Sequence, residues 1–191
     1  MIYKIILVIF IFSMLICDTY KIDSDRSKIY WVGRKITGQH NGTINIKDGY
    51  VDINKGSITD GAFEIDMGTI TVLDMSEKYN KKLASHLKNP DFFDVQKFPI
   101  SVFKIKKSYN FFMIDNIIFE GDLKIKDVLI EKSIPATISV NDSVAEAIGV
   151  INIDRTLFDI TYGSSSFFDN LADRAIDDNF TLKFKIVAVR E

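Results

Sequence analysis

From Tyr20 onward, apolar and polar residues alternate in short runs, with the two-residue period of strands that bury one face. Ile29, Trp31 and Gly33 alternate with Tyr30, Val32 and Arg34, Ile44 and Ile46 sit between polar residues, and Phe63, Ile65 and Met67 alternate with Glu64 and Asp66. Asp48-Gly49 is expected to turn a hairpin into Val51 and Ile53, and Lys55-Gly56 and Asp60-Gly61 punctuate the next run. Ile70 and Val72 continue the alternation. Further strands are predicted over 111–114, 117–125, 128–140 and 144–153, with a strand-like pattern over 157–162. Pro135 donates no hydrogen bond and marks an edge, a strand start or a bulge. The last run is the plainest: Phe180, Leu182, Phe184, Ile186 and Ala188 alternate with Thr181, Lys183 and Lys185.

The alternation breaks in the middle of the chain. Residues 76–88 are polar and helix-forming, with Tyr79, Leu83 and Leu87 four apart on one apolar stripe. In the following HLKNPDFFDVQKFPISVF (86–103), Asn89 reads as an N-cap and Pro90 as the first residue of a second short helix. Asp91 and Asp94 would then sit near its positive end. Phe92 and Phe93 share that turn, Pro99 forces Phe98 into extended backbone, and Ser101, Phe103 and Ile105 begin a one-sided strand. Later, 163–166 reads as a flexible turn and 167–176 as a short helix or loop. Two short helical regions cannot cover both faces of an open sheet built from eight or more half-buried strands. The fold class is therefore all-β, an extended antiparallel barrel of about eight strands, with a sandwich as the alternative on pattern alone. No Pro-, Gly- or Ser-rich linker divides residues 18–191, which read as one domain.

The N-terminus changes this picture. After Lys4, Ile5 to Ile16 is almost unbroken apolar, and twelve helical residues span about 18 Å, short of a hydrocarbon core of about 30 Å. Residues 1–17 are therefore expected to be a signal peptide and the protein to be exported. Cys17, the only cysteine, either leaves with the signal or is lipidated as a membrane anchor; Ile16 before it, where lipoprotein signals carry a small residue, argues for the former. In both cases the remaining domain has no disulfide. Removing the first 17 of 191 residues leaves 174, with 23 basic and 26 acidic residues and a net charge near −3. That balance gives no electrostatic footprint for nucleic acid.

Candidate chemistry is sparse. Two histidines and no cysteine pair provide no zinc pattern, and GxSxG, P-loop and GxGxxG motifs are absent from the sequence. No catalytic residue, metal or cofactor is assigned, and the chain is not read as an enzyme. His86 is a satisfied polar residue near a helix end or a contact to a ligand's polar head, and His40 a turn residue. Arg155, in Asp154-Arg155-Thr156, is a salt-bridged edge arginine or a head-group contact at a barrel mouth. Ser164, Ser165 and Ser166 have no base placed beside them by sequence and read as turn residues. The fifteen phenylalanines either fill a solid core or line a cavity suited to a hydrocarbon chain, and alternation leaves both open.

Three blocks in order, YKIDSDRSKIYWVGRKITGQHNGTI, HLKNPDFFDVQKFPISVF and INIDRTLFDITYGSSSFFDNLADRAIDDNFTLKFKIVAV, make the chain resemble the YceI-like family of exported polyisoprenoid-binding proteins. The resemblance implies a lipocalin-like barrel whose long apolar cavity holds an isoprenoid or other fatty-chain lipid, in a bacterial periplasm and often as a homodimer. It brings no catalytic set. Trp31, Phe63, Phe92, Phe93, Phe98, Phe103, Phe158 and Phe184 are then the candidate lining, with His86 and Arg155 at the polar end. One departure lies in Lys126-Asp127-Val128-Leu129-Ile130-Glu131, where the family has a glycine-containing turn followed by threonine. Aspartate also adopts turn geometry, so the hairpin is expected to persist. The expected function is non-catalytic binding, storage or transport of lipid. The alternatives are an exported enzyme acting on a lipid or small substrate and a solid-core stress or interaction protein.

Overall fold

The computed structural model describes residues 18–54, 56–110 and 116–191. The expected signal peptide with Cys17, and the strand expected over 111–114, lie outside the described residues. The described chain forms β1 (Asp18–Ile22), β2 (Lys28–Lys35), β3 (Gly38–Asn54), β4 (Ser57–Asp66), helix α1 (Glu77–Lys88), β5 (Ile100–Asn110), β6 (Asn116–Ile125), β7 (Val128–Val140), β8 (Val144–Asp154) and β9 (Ile176–Arg190). The strands β3-β2-β9-β8-β7-β6-β5-β4 form an antiparallel ring that closes where β4 pairs with β3. Closure leaves one curved sheet with an inside and an outside, so the sandwich alternative does not apply.

β1 is the ninth strand and shares a wall position with β2. β2 lies between the first part of β3 and Phe180–Lys185 of β9, whereas β1 lies between Tyr50–Ile53 of β3 and Ala188–Arg190 of β9. The turn between them is tied into the wall: Asp23 N donates to Val187 O, and Val187 N donates to Ser27 Oγ. The ring is thinnest between β7 and β8, where pairing covers only Ala136–Val140 against Ala145–Gly149. Pro135 stands where that pairing stops, so β7 before it is an edge on the β8 side.

Several local expectations are corrected. Asp48-Gly49 turns no hairpin; β3 runs through it for 17 residues, with a register shift against β4 between Ile46 and Asp48. Gly49 is needed because the β4 backbone passes close, and a Cβ there would lie 2.5 Å from Ala62 O. Asp60-Gly61 likewise sits within β4, and the reversal falls between Asn54 and Ser57. Ile70 and Val72 are buried, but their segment forms no strand and only joins the β3 edge, through Thr71 N to Thr43 O and Leu73 N to Asn41 O. Residues 155–158 form a 3-10 turn rather than a strand, and Asp159 follows in the left-handed region at φ 57°.

No second helix starts at Pro90. Asn89 is the C-cap of α1, and the chain folds back so that Phe93 N and Val95 N donate to Leu87 O and Lys88 O. The next N–H groups are spent on the free carbonyls of the preceding helix, which removes the need for a helix of their own. Connections 35–38, 66–100, 125–128 and 154–176 all gather at one end of the barrel, called here the covered end; the reversals at 54–57 and 140–144 lie at the other.

Candidate functional site

The inward faces of the strands enclose an elongated, apolar cavity of about 410 Å³. Along β9 it is lined by Ile176, Phe180, Leu182, Phe184, Ile186 and Ala188, the face expected from alternation. At about 3.3 Å per residue that is roughly 40 Å of strand path, so the cavity follows the barrel's long axis. Its buried hydroxyl, Ser101 Oγ, is already bonded to Met67 Sδ at 3.1 Å.

Trp31, Phe63, Phe92, Phe93, Phe103 and Phe184 all border this cavity. Phe63 stacks on Phe103 across β4 and β5, with centroids 6.5 Å apart and planes at 21°. Phe93 meets Phe180 edge to face at 6.4 Å. Trp31 is fixed by its indole Nε1, which donates to Thr71 O at 3.0 Å. Its strand partner must be Gly42, because a Cβ there would fall 1.8 Å from that same carbonyl oxygen.

Phe98, Phe158 and His86, expected at the ligand, are not on the cavity wall. Phe98 is half-buried on the approach to β5, with Lys97 Nζ 4.8 Å from its ring centroid. Phe158 is buried in the core, but the 3-10 turn that carries it does not obey strand alternation. His86 packs edge-on against Phe92 at 5.0 Å and Tyr162 at 4.9 Å, and its Nδ1 is hydrogen-bonded to Asn89 Nδ2 at 3.0 Å.

Arg155 borders the cavity, yet its guanidinium is committed elsewhere. Only 4% exposed, it donates through Nη1 to Ile160 O (2.7 Å) and Tyr162 O (3.0 Å), through Nη2 to Ile176 O (3.1 Å) and Asp178 Oδ1 (3.3 Å), and through Nε to Asp177 O (3.1 Å). Five donors meet five acceptors, which leaves none for a head group. Burial pushes the Arg155 pKa down, against the opposing pull of Asp178, Asp154 and Asp177. Burial also raises the Asp178 pKa, but hydroxyl donors from Ser164 and Ser166 and the Arg155 charge outweigh it and hold the carboxyl below its usual range. The serines of 164–166 thus belong to this knot: Ser164 is wholly buried and Ser166 Oγ donates to Asp178 Oδ2 at 2.6 Å.

Sequence reasoning missed the polar ends of the cavity. Lys35 of β2, His40 of β3, Leu83 of α1 and Asp177 of β9 border the cavity at the covered end, and Val140 and Glu146 border it at the other. His40 Nδ1 pairs with Asp74 Oδ2 at 2.8 Å, and Asn41 N donates to the other oxygen at 3.1 Å. For Asp74, too, burial is the upward influence, overcome by these bonds so that its pKa lies below the ordinary value. The available signal was the Tyr79–Leu83–Leu87 stripe. Leu83 and Leu87 do line the cavity, while Tyr79 lies beyond its rim, 58% exposed. Chemically, the interior can solvate a hydrocarbon. Among the described residues neither histidine is bonded to a hydroxyl, and no group of three or more His, Cys, Asp and Glu side chains could hold a metal.

The family model of the YceI-like domain matches residues 20–188. The chain belongs to the YceI-like family. Among solved structures, BcnA of Burkholderia cenocepacia superposes with a TM-score of 0.71 at 19% identity, covering 87% of this chain and 99% of that one. A polyisoprenoid-binding domain from Saccharophagus degradans, implicated in plant cell wall breakdown, gives 0.62 at 10% identity over 90% and 98%. The Campylobacter jejuni YceI protein gives 0.59 at 19% identity over 78% and 84%. At such identities these likenesses speak for the fold. Comparison with curated proteins gives no match. Within this YceI-like barrel the departure at 126–127 is absorbed: Ile125 still pairs with Val128, and Lys126 rather than Asp127 takes the left-handed conformation, at φ 56°.

Proposed function

We propose that the chain is an exported, non-catalytic carrier or store for a long apolar lipid, an isoprenoid or similar fatty chain. The observation that carries this reading is the elongated cavity, walled by aliphatic and aromatic side chains along the length of the barrel. Such a wall offers a chain about 25 cal/mol per Å² of apolar surface removed from water and asks for few polar contacts. The polyisoprenoid-binding description of the Saccharophagus degradans domain supports the ligand class. The apolar run at 5–16 supports export.

Native mass spectrometry of the protein purified from its own host, followed by lipid extraction, tests the reading. A stoichiometric apolar molecule is expected, and an apo mass after gentle purification would overturn the carrier. Phe93→Trp adds a second check. In a hollow site it displaces lipid while the melting temperature stays near that of the unaltered chain. In a filled core it overpacks and costs about 1–3 kcal/mol of stability with no change in lipid.

A further inference from the structure

Three segments beside the cavity lining at the covered end each carry a large, exposed apolar side chain. Ile36, next to rim residue Lys35, is 71% exposed; Leu73, bonded through its N–H to Asn41 O beside His40, is 56% exposed; Tyr79, one turn before Leu83, is 58% exposed. Exposed apolar groups gathered at one end of a barrel mark a contact surface rather than scatter.

Charge bears on what they could contact. The chain as a whole is acidic, with a formal net charge of −2. Around these three residues, however, stand Arg34, Lys35, Lys78, Lys81 and Lys82 against Asp74 and Glu77, and both acids are already paired, with His40 and Lys81. Arg34 bonds only a hydroxyl, that of Thr181, and Lys35, Lys78 and Lys82 make no ion pair among the described residues. Across the same end, the 154–176 connection and the start of β9 are the reverse: Asp154, Asp159, Asp169, Asp173, Asp177 and Asp178 against Arg155 and Arg174. Both sides of the covered end carry exposed apolar tips, Leu157, Tyr162, Phe167 and Phe168 on the acidic one, so it is charge that separates them.

We propose that this rim is a docking surface for an anionic lipid bilayer. Ile36, Leu73 and Tyr79 enter the interfacial region, while the lysines meet negatively charged head groups. The acidic 154–178 side is held off the surface, which tilts the barrel so that the opening beside α1 faces the leaflet. A lipid then moves between leaflet and cavity without a passage through water. That purpose rests on the carrier reading; the docking itself does not.

The test places a reporter at the rim: Tyr79→Trp in a Trp31→Phe background, which leaves one tryptophan in the chain. Vesicles carry brominated acyl chains, either in phosphatidylcholine alone or with about 30 mol % brominated phosphatidylglycerol. A blue shift and at least about two-fold quenching are expected on the anionic vesicles, lost in about 0.5 M salt, with little change on neutral ones. Adding Ile36→Ser and Leu73→Ser should abolish the quenching; adding Tyr109→Ser and Ile148→Ser, exposed residues elsewhere on the barrel, should preserve it. Absence of quenching on anionic vesicles, or equal quenching in both variants, overturns the proposal. So does a reporter already blue-shifted without vesicles in a concentration-dependent way, since a second copy would then cover the rim. Quenching of the reporter together with an apo mass for the unaltered chain leaves docking in place and removes the carrier. Lipid bound to the unaltered chain with a silent reporter does the opposite.

Discussion

Two irregular segments cover the same end of the barrel and are held there in opposite ways. The 154–176 connection is pinned from within: Arg155 binds four carbonyls and Asp178, and Asp178 in turn binds Ser166. α1, on the other side, has no buried residue. It rests on half-buried Leu83 and Leu87 and on contacts near its C-terminal end, among them Lys88 Nζ to Gly68 O at 2.6 Å and the packing of His86 on Tyr162. Its Glu77–Lys81 pair is solvent-exposed and adds little. A cover with a fixed half and a loosely held half opens on the loose side, and elements that must move are drawn from the least stable part of a fold.

The contrast is broken most severely at Arg155. Arg155→Met keeps much of the side-chain volume but leaves four carbonyls and a carboxylate without their donor, and is expected to cost about 3–5 kcal/mol. Urea unfolding followed by circular dichroism measures it, and a loss below about 1 kcal/mol would mean that the knot does not hold this half. On the other side, Leu83→Ala combined with Leu87→Ala should cost only about 1–2 kcal/mol in total, below the range for fully buried leucines. Its main effect should be faster escape of bound lipid, read by transfer to acceptor vesicles. A stability loss equal to that of Arg155→Met would erase the distinction.

The smallest effect is one of pH. The folded Asp178 carboxyl lies below the ordinary aspartate value of about 3.9, so its stabilising contribution is complete above that pH and is lost as pH falls through the folded value. Asp178→Asn should be less stable at pH 7 and should lose stability less steeply on acidification below about pH 4. Melting curves from pH 7 to 3 check the sign, and parallel curves would detach Asp178 from the knot.

What was legible in the sequence is what alternation encodes. β7 was found residue for residue, β6 and β8 to within one residue, and the inward face of β9 correctly, because a one-sided strand repeats every two residues. Asp48-Gly49 misled because the glycine serves a close approach of β4 and not a reversal. Phe158 was misplaced because a 3-10 turn has no two-residue period. The lining phenylalanines on strands could be named, whereas the polar residues at the covered end of the cavity could not. Lys35 and His40 flank one hairpin, but Asp177 reaches them only through the β2–β9 pairing and Leu83 only through the packing of α1 on the barrel. Arg155 could be singled out as an unusual charge, but its five acceptors, four of them backbone carbonyls, leave no trace in residue types.

The shared wall position of β1 and β2 has a consequence in time. Both strands lie against β9, and Tyr20 is paired with Arg190, so residues near the two limits of the domain meet across a single ladder. During synthesis the ring stays open until the final strand has left the ribosome. Until then the phenylalanines and isoleucines of the inner faces have no enclosed interior to occupy, and the nascent chain has to be kept from aggregating by other means. Assembly of this barrel therefore waits on its last strand, β9.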